Sequence, residues 1–353
     1  MDLENELPNF SVILQKIKDH QDLEIEDAQH ALTKILQGGI SDNDLESFLL
    51  LINRKGATDL EITGFVKAMR SSCLQIDCPE GTIDLVGAGG SAMGQKAALN
   101  VSTIASFVAA GAGAYVCKHG NRKASSTSGS FDFLDVLGIP LELTPDQVER
   151  CVKEVGLGFA FARTFHPAMK HAGPVRAKLG IPTVFNTLGP LSHPAFLTRQ
   201  IVGVPSLETA KKIANVLQST GTELGMVVTG HNGLDEFSTT GPNIVHMVTP
   251  EIIEMSEISP TDLGIKEAEP EQIFGGNPQE NVQIANQVLN GNEGPKSDII
   301  VLNAAAGLVV AGIASDLIDG IERARSSIVS GAAKSKMQDL RNFTKSLVPN
   351  ESK

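Results

Sequence analysis

The chain has no tryptophan, a single tyrosine and only 4% aromatic residues in 353. Base-stacking platforms for single-stranded nucleic acid therefore have almost nothing to be built from. Positive charge is also short: 29 Lys and Arg stand against 41 Asp and Glu, for a formal net charge of −12. With no long basic cluster, neither duplex nucleic acid nor an anionic membrane surface is an expected partner. No apolar stretch of membrane-spanning length runs free of polar breaks, and Phe107–Ala114 is rich in small residues that suit a tightly packed helix end. The four cysteines, Cys73, Cys78, Cys117 and Cys151, form no C-x-x-C pair. No His or Cys nearby completes a metal site around Cys73 and Cys78, so reduced thiols and a cytoplasmic location are expected. The acidic start Met1-Asp2-Leu3-Glu4-Asn5-Glu6 matches neither a secretory signal nor a transit peptide.

Apolar residues make up 41% of the chain, enough for a large core plus a smaller one. Up to about residue 80 the pattern is helical. Phe10, Ile13, Leu14 and Ile17 form one amphipathic stripe; Ala28, Ala31, Leu32, Ile35 and Leu36 form another, closed by Gly38-Gly39. Ser41-Asp42-Asn43-Asp44 and Thr58-Asp59-Leu60-Glu61 read as capping boxes. The run Phe48–Ile52 is too apolar for one buried face, which points to a small bundle or a partner subunit over it. From Thr82 short apolar runs alternate with helical ones, predicting a mostly parallel sheet with helices on both faces. The expected strands are Ile83–Val86, Tyr115–Cys117, Gly158–Ala162, Thr183–Phe185, Gln200–Val204, Met226–Thr229 and Asp298–Leu302. Expected helices follow Thr144-Pro145-Asp146-Gln147, span about Ser206–Ser219, and run with breaks from about Asn303; Glu251–Gly294 reads as the least regular part.

Two turns carry chemistry. Ile83-Asp84-Leu85-Val86 runs into Gly87-Ala88-Gly89-Gly90, and Tyr115-Val116-Cys117 into Lys118-His119-Gly120-Asn121-Arg122. A strand ending in glycines before a helix leaves backbone N–H groups facing outward, the geometry of a phosphate cradle. Two cradles, one with a Lys and an Arg, suggest a ligand with more than one phosphate. The first is not a G-x-G-x-x-G fingerprint, because Ala92 takes the third position, and no Walker Lys-Ser/Thr follows. Asn100-Val101-Ser102-Thr103 opens a helix, either to cap it or to bind an anion. Ser125–Ser130 adds a hydroxyl-rich loop. Asp235-Glu236 at a strand end suits Mg²⁺, though adjacent acids are also common on surfaces. His166 and His171 flank a segment leading to Pro174-Val175-Arg176, where Pro174 makes two short helices or one broken one. Arg176 suits a substrate carboxylate or an ordinary ion pair, and the two histidines suit packing or capping better than metal ligation.

Taken in order, GAGG, NVST, KHGNR with SSTSGS, HPAMKHAGPVR, FNTLGPLSHP, GLDE and LNAAAGL resemble the anthranilate phosphoribosyltransferases of tryptophan biosynthesis over almost the whole chain. KHGNR, NTLGPL and GLDE together are very specific. The resemblance implies transfer of a phosphoribosyl group from phosphoribosyl pyrophosphate (PRPP) to the amine of anthranilate. It implies an α/β protein: a small helical domain over 1–80, completed by helices around 167–195, and a large α/β domain over 81–353. Its mostly parallel central sheet would be shaped like that of nucleoside phosphorylases. It implies a homodimer through the helical domain and an association with anthranilate synthase. Gly87, Gly89, Gly90, Asn100, Ser102, Thr103, Lys118, Ser126 and Ser130 would hold PRPP. Gly87, Asn121, His166 and Arg176 would meet anthranilate, with Lys118, Asn121 and Arg176 the catalytic set. Ser102, Asp235 and Glu236 would hold Mg²⁺.

The chain departs from the family pattern in the first turn. Ala88 replaces a usual Thr, Ser91 a usual Asp and Ala98 another Thr, and the loop Ser91–Leu99 is longer. Lys96 offers a compensating cation there. A paralogue with a different acceptor or a non-catalytic binding role is the alternative. A nucleoside phosphorylase fits NTLGPL and GLDE poorly. A dinucleotide-binding dehydrogenase would need an acid where Ser106–Gly111 is small and apolar.

Overall fold

The computed structural model describes residues 8–91, 98–122 and 127–348. They divide into two compact units, Met1–Leu74 with Phe165–Phe196, and Gln75–Thr164 with Leu197–Lys353.

The first unit is helical. Helices Phe10–Lys18, Ile25–Leu36, Asp42–Lys55 and Asp59–Ser71 are joined by Gly173–Leu179 and Val184–Leu191 from the later segment. The two apolar stripes face the core: Phe10, Ile13 and Ile17 are buried, and so are Ala28, Ala31, Leu32, Ile35 and Leu36. Phe48 packs between Phe10 and Phe65, with ring centroids 5.7 and 5.9 Å away. Gly64 lets Asp59–Ser71 approach Ile25–Leu36, since a Cβ there would stand 2.8 Å from Ala28 Cβ. Thr58 and Glu61 form the reciprocal capping box, whereas at Ser41 only the cap to the Asp44 N–H is made. Leu50 in the Phe48–Ile52 run is 42% exposed.

Two expectations fail in instructive ways. Thr183–Phe185 is no strand: Thr183 caps helix Val184–Leu191, its N–H bonded to Asn186 Oδ1 at 3.0 Å. Asp298–Leu302 is no strand either, but lies inside helix Pro295–Val310, which is buried on nearly every side. A helix buried all round has no polar face to reveal a 3.6-residue period, so its apolar run mimics a buried strand. Pro174 sits in the first turn of Gly173–Leu179, giving two short helices after Phe165.

The second unit is built on a seven-stranded sheet: β1 (Ile83–Gly87), β2 (Val116–Gly120), β3 (Leu157–Phe161), β4 (Arg199–Gly203), β5 (Leu224–Thr229), β6 (Asn243–Val248) and β7 (Ile253–Ile258). The order is β3-β2-β1-β4-β5-β6-β7; β1 to β5 are parallel, β6 and β7 antiparallel. The last two strands were not expected, and helix Pro278–Leu289 emerges from the segment read as irregular. β7 carries Glu254 and Glu257 on an exposed edge, charges that block further strand pairing. The chain leaves β1 towards β2 and β3 on one side and later resumes at β4 and β5 on the other. The gap between β1 and β4 is therefore the switch point of the sheet, where ligands of open α/β sheets bind. None of the four cysteines forms a disulfide. Among the described residues no helix is long and apolar enough to cross a membrane.

Glu61 has no exposed surface and works beyond its cap. Its carboxylate accepts from the N–H groups of Leu23 and Thr58 and from Lys55 Nζ, each at 2.9 Å. Glu61→Ala takes this partner from the Leu23 and Thr58 N–H groups and leaves Lys55 to Asp22 and Gly56 O alone. We expect it to cost about 2–6 kcal/mol, two unmet N–H groups at about 1–3 each, read as a lower urea midpoint of the first unfolding transition, while Glu26→Ala on the surface moves it little.

Candidate active site

Gly87 and Gly203, the last residues of β1 and β4, lie side by side in register. The backbone of Asp235 crosses both. A Cβ on Gly87 would stand 2.7 Å from Asp235 Oδ2 and 2.8 Å from Asp235 O, and one on Gly203 would collide with Asp235 O. Gly230 at the end of β5 makes the same room for the Glu236 carbonyl. These glycines thus admit the protein's own acidic segment as well as any ligand. Asp235 Oδ2 accepts the Gly89 N–H at 2.7 Å, and the Ala88 N–H bonds Gly203 O at 2.8 Å. Two N–H groups of the first turn, expected to face outward, are therefore used internally. Gly89 and Gly90, with φ of +78° and +88°, carry the chain away in a conformation only glycine adopts freely.

Behind the acids lies a buried charge cluster. Lys118 is 3% exposed, and its ammonium donates to the Leu85 carbonyl. Burial lowers its pKa, opposed by Asp84, Glu236 and Asp235. Asp84, inside β1, is fully buried; its Oδ1 accepts the His119 N–H at 3.3 Å while Oδ2 has no hydrogen-bond partner. Burial pushes its pKa up to about 7 against the pull of Lys118. Burial and then the neighbouring Asp235 push Glu236 to about 7 as well. The Ser102 N–H, in the first turn of helix Val101–Gly111, reaches Glu236 Oε1 at 3.4 Å. Gly87, Gly89, Ser102, Lys118, Asp235 and Glu236 are thus gathered at the switch point.

Other expected residues are placed differently. Asn100 stands at the start of Val101–Gly111 but makes no side-chain cap; its amide is bonded to Ser128 and Asn281. Thr103 is buried in that helix. Asn121 is exposed, its Oδ1 held by the Arg122 N–H at 2.8 Å. Ser130 starts helix Ser130–Val136 and donates to Asn121 O, filling the space Gly120 leaves. Arg122 is not a phosphate-ready cation: its guanidinium pairs with Asp132 and Asp135 at 3.1 and 3.0 Å. Ser126 and Lys96 lie outside the described residues.

Arg176 and His166 belong to the helical unit. The Arg176 guanidinium lies 5.1 Å from the centroid of the Phe185 ring, and among the described residues it has no carboxylate partner. Burial alone lowers its pKa. A half-buried guanidinium against an aromatic face with no anion of its own is suited to a planar carboxylate. His166 is buried, bonded to the Ser192 backbone and pushed down to about 4 by desolvation, so it is neutral at pH 7.

Asp84, Gly203, Gly230 and Asn303 were missed by the sequence reading. Asn303 is buried in helix Pro295–Val310 and clamps Phe237, accepting its N–H at 3.0 Å and donating to its carbonyl at 2.9 Å, next to Glu236. An acid within an apolar strand, and a second strand ending in glycine, are the signals that could have found the first two.

A family model described as glycosyl transferase family, a/b domain, matches residues 80–334, and its helical bundle domain counterpart matches residues 11–73. Fold and site thus define a two-domain glycosyltransferase with an anion- and metal-suited sheet edge. More narrowly, the chain belongs to the anthranilate phosphoribosyltransferase family. The anthranilate phosphoribosyltransferase of Rubrobacter xylanophilus is 44% identical over 321 residues, spanning 91% of this chain and 93% of that one. The crystal structure of the Thermus thermophilus enzyme superposes with a TM-score of 0.88 at 37% identity, covering 94% of this chain and 99% of that one. The Saccharomyces cerevisiae enzyme in complex with PRPP and Mg gives 0.86 at 29% identity, covering 96% and 98%.

Gly203→Ala tests whether the acidic segment needs the bare strand end. The added Cβ must push the Asp235 backbone off the sheet. We expect turnover to fall about a hundredfold, the scale of an ångström-sized misplacement, with the far-UV circular dichroism unchanged. Turnover within twofold of the parent would show that the segment finds another seat.

Proposed function

We propose that the chain performs its family's reaction at the carboxyl ends of β1, β2 and β4. The phosphoribosyl group of PRPP passes to the amine of anthranilate, in tryptophan biosynthesis, giving N-(5-phosphoribosyl)anthranilate and pyrophosphate. The observation that carries this reading is the acid pair braced over Gly87 and Gly203 beside a buried lysine. Both carboxylates are oxygen donors on residues that keep part of their surface open, and desolvation of the Glu236 carboxyl, with Asp235 beside it, disfavours its ionised form in the empty protein. That donor set fits Mg²⁺, which takes one or two carboxylates and completes its shell with water and phosphate oxygens. Among the described residues no cluster of three or more His, Cys, Asp or Glu side chains is available for a metal held by protein alone. Asp235, Glu236 and Ser102 would hold the ion, which supplies charge neutralisation for a departing pyrophosphate when bound.

The remaining roles belong to the chain's own groups. Loss of pyrophosphate from the ribose C1 builds negative charge on the leaving group. Lys118, with three ammonium donors and one used on Leu85 O, faces that charge from a site where water does not compete. Gly87, Gly89, Gly90, Asn100, Ser102, Thr103, Ser126 and Ser130 are assigned to PRPP in this reading. Arg176 is the group suited to the anthranilate carboxylate, and His166, Asn121 and Gly87 complete the set that the resemblance assigns to anthranilate. An aromatic amine is nucleophilic without a strong base, so positioning supplies most of the remaining acceleration. A homodimer through the helical unit is part of the same proposal, supported by Val12, Leu50 and Leu60, each more than 40% exposed there.

The test is loss of anthranilate fluorescence on adding PRPP and Mg²⁺. Asp235→Asn with Glu236→Gln should remove most Mg²⁺-dependent turnover from a folded protein; an unaltered Mg²⁺ titration would reduce the pair to a surface feature.

In the same assay Arg176→Ala should lower kcat/KM for anthranilate about tenfold to a hundredfold, the loss of one charge-assisted hydrogen bond of about 1.5–3 kcal/mol, leaving the PRPP KM in place. Constants equal to the parent's would take Arg176 out of the site.

A further inference from the structure

The two loops assigned to PRPP share a root in a third segment, Gly275–Asn281, for which neither motif reading nor family resemblance offered a role. Asn281 has no exposed surface and lies in the first turns of helix Pro278–Leu289. Its amide nitrogen donates to Ala98 O and to Asn100 Oδ1, both at 2.8 Å, and its oxygen accepts the Gly276 N–H at 2.9 Å. Ala98–Asn100 is the downstream end of the first loop. Asn100 Oδ1 also accepts from Ser128 Oγ at 2.8 Å, at the downstream end of the second. Thr127 closes the circuit: its hydroxyl accepts the Ala98 N–H and donates to Gly276 O, each at 3.1 Å. Gly275 is obligatory here, since a Cβ would stand 2.5 Å from Ala98 O and from Asn281 Oδ1. The helix below is itself firmly started by the reciprocal Asn277–Glu280 capping box.

We propose that Asn281, completed by Thr127, is a positioning centre that ties the ends of both PRPP loops to one rigid helix start. The loops then present their contacts to PRPP together rather than separately. An amide suits the task because it offers two donors and an acceptor without charge, and both its donors and its oxygen are used. Removing it takes the partner from Ala98 O and from the Gly276 N–H and leaves Asn100 Oδ1 to Ser128 Oγ alone, and a lost partner in a buried network costs more than the bond contributes when made. The network contains no group of the anthranilate set, so its loss should register on PRPP first. The proposal rests on the assignment of both loops to PRPP.

The experiment measures KM for each substrate, kcat and thermal midpoint in the full-length enzyme and four variants. Asn281→Ala and Thr127→Val should raise the PRPP KM about tenfold, equivalent to about 1.4 kcal/mol, with the anthranilate KM within about twofold. Thr127→Ser, which keeps the hydroxyl, should restore the PRPP KM. A lowered thermal midpoint with an unmoved PRPP KM in both Asn281→Ala and Thr127→Val would overturn the proposal and leave a structural brace. If Asn281→Ala does not fold, the Thr127→Val and Thr127→Ser pair decides alone. Lys118→Ala separates the two layers of the argument. A PRPP KM unmoved by Lys118→Ala overturns the loop assignment and the proposal with it. A KM raised by Lys118→Ala but unmoved by Thr127→Val overturns the tie alone.

Discussion

The contact on which the site depends is steric: the backbone of Asp235 lies against two neighbouring strand ends that have no Cβ. Gly87 and Gly203 create a shallow bed at the switch point of the sheet, and the acidic segment settles into it. Asp235 then returns a hydrogen bond to the Gly89 N–H, so the segment and the first turn hold each other. Clamped by Asn303 through Phe237, the segment has little freedom left. Backbone packing delivers the carboxylates, and their hydrogen bonds to the Gly89 and Ser102 N–H groups then fix them there.

That charge is a cost. Asp84, Asp235 and Glu236 face one buried lysine, and burial pushes Asp84 and Glu236 up to about 7 by disfavouring their ionised forms. Desolvating an ion costs several kcal/mol even after relaxation, and one ammonium offsets only part of it. The apolar sheet beneath bears the difference: Leu85, Ile201, Val202, Val227 and Val228 are all buried. A surplus of negative charge held rigidly beside a lysine is unfavourable for the empty protein. It becomes favourable when a cation and a polyphosphate arrive together, which is the arrangement a phosphoribosyl transfer requires.

How much of this was legible follows from what each residue reports locally. Helix stripes such as Ala28–Leu36 and caps such as Thr58–Glu61 are local signals, and they were readable. Strands β1 to β5 were found because each is a short apolar run before a turn, although helix Pro295–Val310 and the start of Val184–Leu191 give the same signature. β6 was lost because Asn243 and His246 interrupt its apolar run, and β7 because Glu254, Ser256 and Glu257 interrupt it, as an edge strand requires. At the site, Lys118, Asp235, Glu236 and Ser102 stand together as the motifs suggested. Arg122 does not join them, because Asp132 and Asp135 lie within reach only once helix Ser130–Val136 has folded back. Asn281 acts through partners distant in sequence, so no local pattern marks it, and Gly203 is marked only as a second strand ending in glycine.

The fixed points of this edge share a chemistry. Asn303 clamps Phe237, Asn281 joins Ala98 to Asn100, and Asn243 holds the Ser238 backbone by its N–H at 2.6 Å and its carbonyl at 3.0 Å. All three are buried. Asn303 and Asn243 supply Phe237 and Ser238, and Asn281 supplies Gly276, with the paired donor and acceptor that a neighbouring strand would otherwise provide. A carboxylate in any of these places would add to an edge already rich in negative charge, and an ammonium would cancel charge needed for the ligand. A neutral amide does neither. Loops that must stay open to a ligand on one side can therefore be pinned on the other without altering the electrostatics that the ligand meets.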